Sequence, residues 1–487
     1  MHITKTNTSG SSQSFIKRVK GTFSSSKGSK FILIYSFVFF LTYLIFSCYQ
    51  HINLKSSLFD LGLQEHVIRQ TAYGNFFNSG IETDNYLGDH FSLIILLVSP
   101  VYRLFPYTLT LLFIQVLSVT LSLFGIFKLG QQHLKSSGLP ILITLIFSWY
   151  WGISGLLLFD FHVEGLALPL LIWGLYYLSQ EKFRQTSLLF GFALFCKEDI
   201  GIFVGLVGIY LLFKRKYQVG LIFALIGFLY SFVVITKTMP EIRGSGLDTM
   251  LRYQYLGNSP SEILLNCIKS PSLLWKELFN LHKVKYLLKM FLPTSGVIIF
   301  APLSSILFLP HIFLNLLAHY PPQSSAFYQY DIVTSVGIFF GSILGLARIE
   351  SHKIQRLKTV QIMKFLSLCL VFINLVFVIK HPLINKINNF ENRKEALLSV
   401  KIVSEQIPDT AIVAVSNSLG PRFVSHENLL LFDPDWISYQ INPEYIIIDR
   451  QQCCTKPNQE YLNRELSDGT LKIFFEDSNI LVYRLLK

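Results

Sequence analysis

The sequence predicts an all-α polytopic membrane protein of about eleven transmembrane helices, with a small α/β domain at its C-terminal end. Three observations predict it. Of 487 residues, 51% are hydrophobic and 15% charged, and the mean hydropathy is +0.45. A typical soluble domain carries roughly 25% charged residues, so a water-facing surface of this size would be under-solvated. Long apolar runs recur from residue 31 to residue 380, and the composition changes beyond residue 388. These features exclude a disordered chain, a disulfide scaffold and a simple cytosolic enzyme. The net charge of +12 is read as topology and anionic-lipid contact, not nucleic acid. Six cysteines are scattered, Cys453 and Cys454 side by side, without metal or redox spacing.

Residues 1–30 form a Ser-rich basic tail without an acid. The run Phe31 to Tyr49 is too long for a signal-peptide core and lacks a small-residue cleavage site, so it is expected to be a retained first span. Its basic flank places the N-terminus in the cytoplasm. The run 91–105 has Pro100 and Arg103 inside it and falls short of the ~20 residues a span needs; it is expected to be a juxtamembrane or re-entrant helix. Spans are expected at 108–128, 139–158, 165–179, 186–196, 200–213, 218–236, 289–302, 303–318, 331–347 and 361–380, with 289–318 either one broken helix or two spans. This register puts Lys135, Lys182, Arg184, Lys214, Arg215, Lys216, Arg348, Lys353, Arg356 and Lys358 in cytoplasmic loops, as the positive-inside rule requires. The transmembrane domain is then 31–380, with outer loops 50–107 and 237–288. The second loop is amphipathic and basic around Trp275 and Lys276, and is expected to lie in the membrane interface. Residues 388–487 are expected to form an extracytoplasmic α/β domain. Its helix falls near 391–406 and its strands at Ala411–Val415, Leu429–Phe432, Tyr445–Ile448, Ile473–Phe475 and Ile480–Tyr483.

Acids are scarce in the membrane part: of 30 Asp and Glu, 14 lie beyond residue 380. Four clusters of the remainder fall on the outer face of a topology fixed from Lys and Arg alone. They are Asp60 with Gln64 and Glu65, then Asp89-His90, then Asp160, His162 and Glu164, and Lys197-Glu198-Asp199. Asp60 could be a solvated loop acid, and Asp89 could cap a helix starting near Phe91. On a helix Asp160 and Glu164 would share a face with His162 pointing away; on an extended segment all three would face one way, a spacing that suits a divalent cation, Mg or Mn. The run before Lys197 is so short that the triplet must sit below the outer surface, where charges face a partner or a polar pocket. The loop from His319 to Tyr328, Tyr330 and Asp331 could be an aromatic belt or a stacking surface. His311 and His381 are expected at helix ends.

A one-sided acidic pocket suits transfer from a lipid-linked donor. A base must activate the acceptor hydroxyl, for which Asp60 is the candidate. A cation must steady the leaving phosphate, from Lys197, Arg243 or a metal. An ion-coupled transporter using the Lys197 triplet, or a non-catalytic scaffold or sensor with the tail as its binding module, are the alternatives. The first is opposed by acids at one face and by the lack of inverted repeats; the second leaves the buried charges unexplained.

Phe59-Asp60-Leu61-Gly62 with Gln64, Gly88-Asp89-His90-Phe91-Ser92, Asp160-Phe161-His162-Val163-Glu164 and Cys196-Lys197-Glu198-Asp199-Ile200-Gly201 occur in an order and spacing that resemble a family of bacterial and archaeal predicted membrane proteins, DUF2079. The Tyr328–Tyr330 loop and the stretch from Ile407 to Asp449 are also similar, so the resemblance covers roughly residues 31–487. That family is grouped with the GT-C superfamily of integral-membrane glycosyltransferases. The grouping implies a polyprenyl-phosphate sugar donor, an acceptor of unknown kind, membrane lipids as surroundings, and hexosyl or pentosyl transfer. It implies a catalytic role for Asp60 and metal or phosphate binding by Asp160 and Glu164. Lys197 would lie near the lipid phosphate. His162 departs from a plain acidic pair, and Glu198 and Asp199 leave the Lys197 triplet net negative. Gln64, Asp89, His90, Glu198, Asp199, Arg243, His319, Tyr328 and Tyr330 complete the expected substrate-binding set.

Overall fold

The computed structural model describes residues 27–80, 85–278, 280–351, 356–388, 391–432, 442–452 and 455–486. Most of the basic tail, Lys353 and the Cys453-Cys454 pair lie outside the described residues.

The first helix, α1, runs Lys27–Ile52. Its buried positions, Ile32, Ser36, Phe39, Tyr43, Phe46, Ser47 and Gln50, fall on one stripe at helical spacing. Leu33, Ile34, Phe37, Val38 and Ile45 point outward, as a lipid-facing surface requires. A π-turn, Leu58–Gly62, leads into α2, Leu63–Ala72. A 3-10 turn at Tyr86–Gly88 precedes α3, Ile95–Leu104, a helix of ten residues with Pro100 inside. The expected short helix is therefore present. The long α4, Thr108–His133, packs against α1.

Two short helices, α5 (Leu139–Ser148) and α6 (Trp151–Leu158), meet at a 42° bend. They are followed by α7 (Ala167–Leu178), α8 (Phe183–Leu194), α9 (Ile200–Phe213) and α10 (Tyr217–Val233). A π-turn continues α10 into α11, Met239–Arg243. The stretch after α11 holds α12 (Asp248–Leu251), α13 (Pro260–Lys269) and α14 (Pro271–Leu278), and α15 follows at Leu281–Phe291. Then come α16 (Leu309–Leu317), the central buried α17 (Ile332–Ser351) and α18 (Arg356–Ile379).

Among the described residues, five helical stretches are long and apolar enough to cross a membrane: α1, α4, Tyr217–Arg243, Gln329–Ser351 and Phe365–Ile384. The bent α5–α6 pair makes a sixth. The expected spans at 165–179, 186–196 and 200–213 appear as helices of 12 to 14 residues, about 18–21 Å long. Residues 289–318 form neither two spans nor one broken helix. They fold into the end of α15, three 3-10 turns (Leu292–Thr294, Val297–Phe300, Pro302–Leu307) and α16. Pro293 and Pro302 remove helix donors, and Ser295 and Gly296 adopt left-handed backbone at φ 53° and 61°. Apolar character marked the stretch as interrupted but not how far the interruption extends.

After α19 (Pro382–Asn388) and α20 (Lys394–Gln406), the tail forms a five-stranded sheet. Its strands are β1 Val413–Val415, β2 Leu429–Leu431, β3 Tyr445–Asp449, β4 Leu471–Glu476 and β5 Ile480–Leu485, with α21 at Lys456–Ser467. The order is β2-β1-β3-β5-β4; β1 is parallel to β2 and β3, and β5 is antiparallel to β3 and β4. Alternation splits the faces. Ala414, Ile446, Ile448 and Tyr483 pack with Leu462 of α21. Val413, Val415, Ile447 and Val482 pack with Ala396, Val400 and Val403 of α20, in one apolar cluster continuous with the helical bundle. The tail is thus docked on the bundle.

Candidate functional site

Asp60 sits in the π-turn before α2. The first amides of that turn are held from the tail: Asn417 Oδ1 accepts from Leu58 N at 2.9 Å and from Ser57 Oγ at 3.1 Å, and its carbonyl accepts from Leu58 N at 2.8 Å. Gly420 permits the approach, since a Cβ there would lie 2.4 Å from Leu58 Cβ. Ser57 N in turn donates to Asp160 Oδ2 at 2.7 Å.

Asp160 and His162 lie on the irregular segment between α6 and the 3-10 turn Val163–Leu166. Gln115 of α4 clamps that segment. Its amide donates to the carbonyls of Leu156 (3.2 Å) and Asp160 (3.0 Å), and its oxygen accepts from His162 N at 2.7 Å. The His162 ring then has oxygen at both nitrogens: Asp160 O 3.1 Å from Nδ1 and Asp60 Oδ1 3.2 Å from Nε2. A doubly protonated ring satisfies both by donating twice. Burial opposes that charge, but Asp60, Glu164 and Asp160 outweigh it and raise the His162 pKa. Phe159 stacks on His162 at 5.4 Å and meets Tyr328 edge-on at 4.8 Å. The Tyr328 loop reaches this position because Gly155 of α6 has no Cβ; one would fall 1.8 Å from Phe327 O. Beneath the loop, buried Asp331 accepts from Tyr286 (2.6 Å) and Asn315 (3.1 Å).

Glu164 is buried and pairs with Lys197 Nζ at 2.7 Å, while its second oxygen has no hydrogen-bond partner among the described residues. Burial would raise Glu164, but Lys197, His162 and His90 overcome it and bring the carboxyl down to about 2. Asp160 goes the other way. Burial, reinforced by the charge of Asp60, pushes it up to about 7. One short segment thus carries a permanent carboxylate and one that titrates near neutrality.

Asp89 does not cap a helix at Phe91. That helix begins at Ile95, and Asp89 instead pairs with Arg243 (3.1 Å) and His90 (3.5 Å). His90 acts electrostatically on both Glu164 and Glu198. Glu198 accepts from Phe91 N at 3.2 Å, and Asp199 stands at the start of α9. Gln64 donates to Tyr86 OH at 2.9 Å, and Tyr86 packs edge-on against His90. Ion pairs and charge interactions therefore link Asp60, His162, Glu164, Lys197, His90, Asp89 and Arg243 into one polar array. Tyr330 feels the charges of Arg252, Lys197 and Asp60. His319 belongs elsewhere: it stacks on Tyr255 at 3.7 Å and pairs with Glu277 at 3.1 Å.

Asp160, His162 and Glu164 do not converge as metal ligands. They turn to Ser57, Asp60 and Lys197 respectively. Among the described residues, no group of three His, Cys, Asp or Glu side chains is placed to hold a metal ion.

Four neighbours escaped the sequence reading. Gln115 and Asn417 hold the backbone of the site. Lys386 donates to Gln50 Oε1 (2.6 Å) and to the carbonyl of Leu158, and lies in the field of Asp160. Arg252 stands 4.4 Å from the Tyr320 ring and 5.5 Å from Tyr330. Only Gln115, a lone amide inside an apolar run, left a sequence signal.

The fold and this array define a multi-pass membrane protein with a docked α/β tail. The chain belongs to the family described as predicted membrane protein (DUF2079), which it matches over residues 50–482. No curated protein matches it in sequence. In fold it is similar to ArnT from Cupriavidus metallidurans in the apo state, at TM-score 0.50 and 10% identity, covering 94% of this chain and 98% of that one. ArnT from the same organism bound to undecaprenyl phosphate gives TM-score 0.48 and 11% identity, covering 92% and 97%. At such identity the likeness to the apo form is one of fold alone.

Proposed function

We propose that the chain is an integral-membrane glycosyltransferase of GT-C type, moving a sugar from a polyprenyl-phosphate carrier to an acceptor, with the Asp60 face turned outward. The observation that carries this reading is the Asp60–His162 contact beside the buried Lys197–Glu164 pair. Transfer needs a base and a phosphate-facing cation within one substrate's length, and this array offers both. Asp60 takes the proton of the acceptor hydroxyl as its oxygen bonds to the anomeric carbon. The bond from that carbon to the phosphate oxygen breaks, and the electron pair leaves with the lipid phosphate. Lys197, partly shared with Glu164, faces that developing charge, and the His162 imidazolium orients Asp60. The fold shared with apo ArnT agrees with the class. The choice of carrier is by analogy with ArnT, which binds undecaprenyl phosphate.

The test is transfer by purified protein offered a panel of polyprenyl-phosphate sugars with membrane glycolipid acceptors. Asp60→Asn should abolish transfer while polyprenyl-phosphate binding persists. Transfer by Asp60→Asn at the wild-type rate would overturn the assignment.

A further inference from the structure

At the other end of the bundle lies a cavity of about 670 Å³ that the Asp60 array does not touch. Gln115, which clamps Asp160, and His133, which lines this cavity, are both on α4. Eighteen residues separate them, about 27 Å along the axis at 1.5 Å per residue, so the cavity opens at the opposite membrane face.

Its rim is cationic. Lys214, Lys216 and Arg348 line it, against a single acid, Glu181. Lys216 and Glu181 pair at 2.8 Å. Lys214 and Arg348 meet no carboxylate among the described residues. Lys214 stands 5.6 Å from the Tyr210 ring, and Arg348 makes one long bond, 3.4 Å, to Phe300 O. His133 Nε2 is buried there without a hydrogen-bond partner among the described residues. The deeper wall is apolar, with Leu178, Phe340 and Leu344 among its residues.

The irregular segment after α15 supplies another wall through Ala301, Pro302, Leu303 and Ser304. Gly345 of α17 lets it seat, since a Cβ there would lie 2.2 Å from Val297 O. Non-helical backbone inside a membrane protein is tolerated where it is packed in protein or lines a cavity. Here both conditions hold. A cavity whose Lys214 and Arg348 meet no carboxylate among the described residues, and whose depth is apolar, matches an anionic amphiphile. Interfacial Lys and Arg side chains favour an anionic lipid surface.

We infer that this cavity is a binding site for the phosphate head of an anionic phospholipid from the leaflet opposite Asp60, with Lys214 and Arg348 as the phosphate contacts. The inference does not depend on glycosyl transfer, and its test reads lipid, not turnover.

Purified full-length protein is reconstituted with phosphatidylglycerol or with phosphatidylcholine, and retained lipid is counted by native mass spectrometry after delipidation. Wild type should retain phosphatidylglycerol in preference to phosphatidylcholine. Lys214→Gln with Arg348→Gln should lose that preference at least tenfold. Lys237→Gln, an exposed lysine distant from the cavity, should keep it. Equal retention by the double variant and wild type would overturn the site. So would equal retention of the two lipids by wild type. Protection of wild type by inorganic phosphate as strong as by phosphatidylglycerol would overturn the lipid assignment in favour of a free-phosphate site.

Discussion

The carboxylates of two buried ion pairs in this chain are completed to different degrees. Arg393–Asp449 joins the start of α20 to the end of β3, with side chains 2% and 0% exposed. Four hydrogen bonds converge on the Asp449 carboxylate: two from Arg393 (2.7 and 2.8 Å), one from Ser418 (2.9 Å) and one from Gln451 N (3.1 Å). Glu164, in the Asp60 array, receives one among the described residues, from Lys197, and keeps an oxygen without a partner there. A buried charge stabilises a fold when its hydrogen-bonding capacity is filled. A charge left partly unfilled is costly, and that cost is tolerated where a ligand completes it. Arg393 Nε is itself buried without a hydrogen-bond partner among the described residues, so the contrast lies between the two carboxylates and not between the pairs as a whole.

The comparison can be broken by mutation. The largest effect belongs to the tail. Arg393→Met leaves Asp449 buried and unpaired and should cost about 3–5 kcal/mol. It should be read as early proteolysis of residues beyond 394 and a lowered melting temperature in detergent. A loss under 1 kcal/mol would place the pair among decorative contacts. Second, Lys197→Met should lower transfer by about 10²–10³-fold, the scale of removing one charge-stabilising donor, with a smaller change in melting than Arg393→Met. Equal or greater destabilisation would make Lys197–Glu164 another architectural pair.

Third, Asp160 sharpens the contrast by its pH dependence. Its folded pKa, about 7, stands above the ordinary 3.8. Its contribution is therefore complete below about pH 4 and is lost as pH rises toward 7 and beyond. Asp160→Asn should flatten that decline and leave the variant relatively more stable at pH 8. Glu164 has the reverse sign, its folded pKa near 2 below the ordinary 4.5, so its contribution is lost only as pH falls from about 4.5 to 2. Melting temperature from pH 4 to 8 distinguishes them; a parallel profile for Asp160→Asn and wild type would contradict the assignment. The smallest effect is Asn417→Ala, about 1 kcal/mol by analogy with a lost helix cap. It should lower transfer more than that loss of stability explains, through a loosened Asp60 turn. Unchanged transfer would mean the turn holds itself.

Much of this was legible in the sequence. The five strands of the tail fall within a residue or two of the apolar runs, because alternation and turn residues mark strands locally. The contacts of Asp60 with His162 and of Glu164 with Lys197 join residues that a charge-sorted topology had already placed on one face. Other features were not legible for physical reasons. Hydropathy registers the apolar character of 289–318 but not whether its backbone closes helical hydrogen bonds, which Pro293, Gly296 and Pro302 prevent. The partner of Asp89, Arg243, lies 154 residues away, and no local pattern encodes it. The spacing of Asp160, His162 and Glu164 suggested a shared direction, but the 3-10 turn beginning at Val163 rotates Glu164 toward Lys197. Asn417 resembles any loop asparagine until the tail is seen docked against Leu58.

That docking has a bearing on how the protein is made. The asparagine that secures the Asp60 turn lies 359 residues after Leu58. During synthesis from the N-terminus, the helices that present Asp60 emerge long before the residue that fixes it. An incomplete chain carries every acid of the Asp60 array yet lacks the latch that orders its first member. Order at the Asp60 turn is therefore conferred late, by a tail synthesised after the helices it clamps.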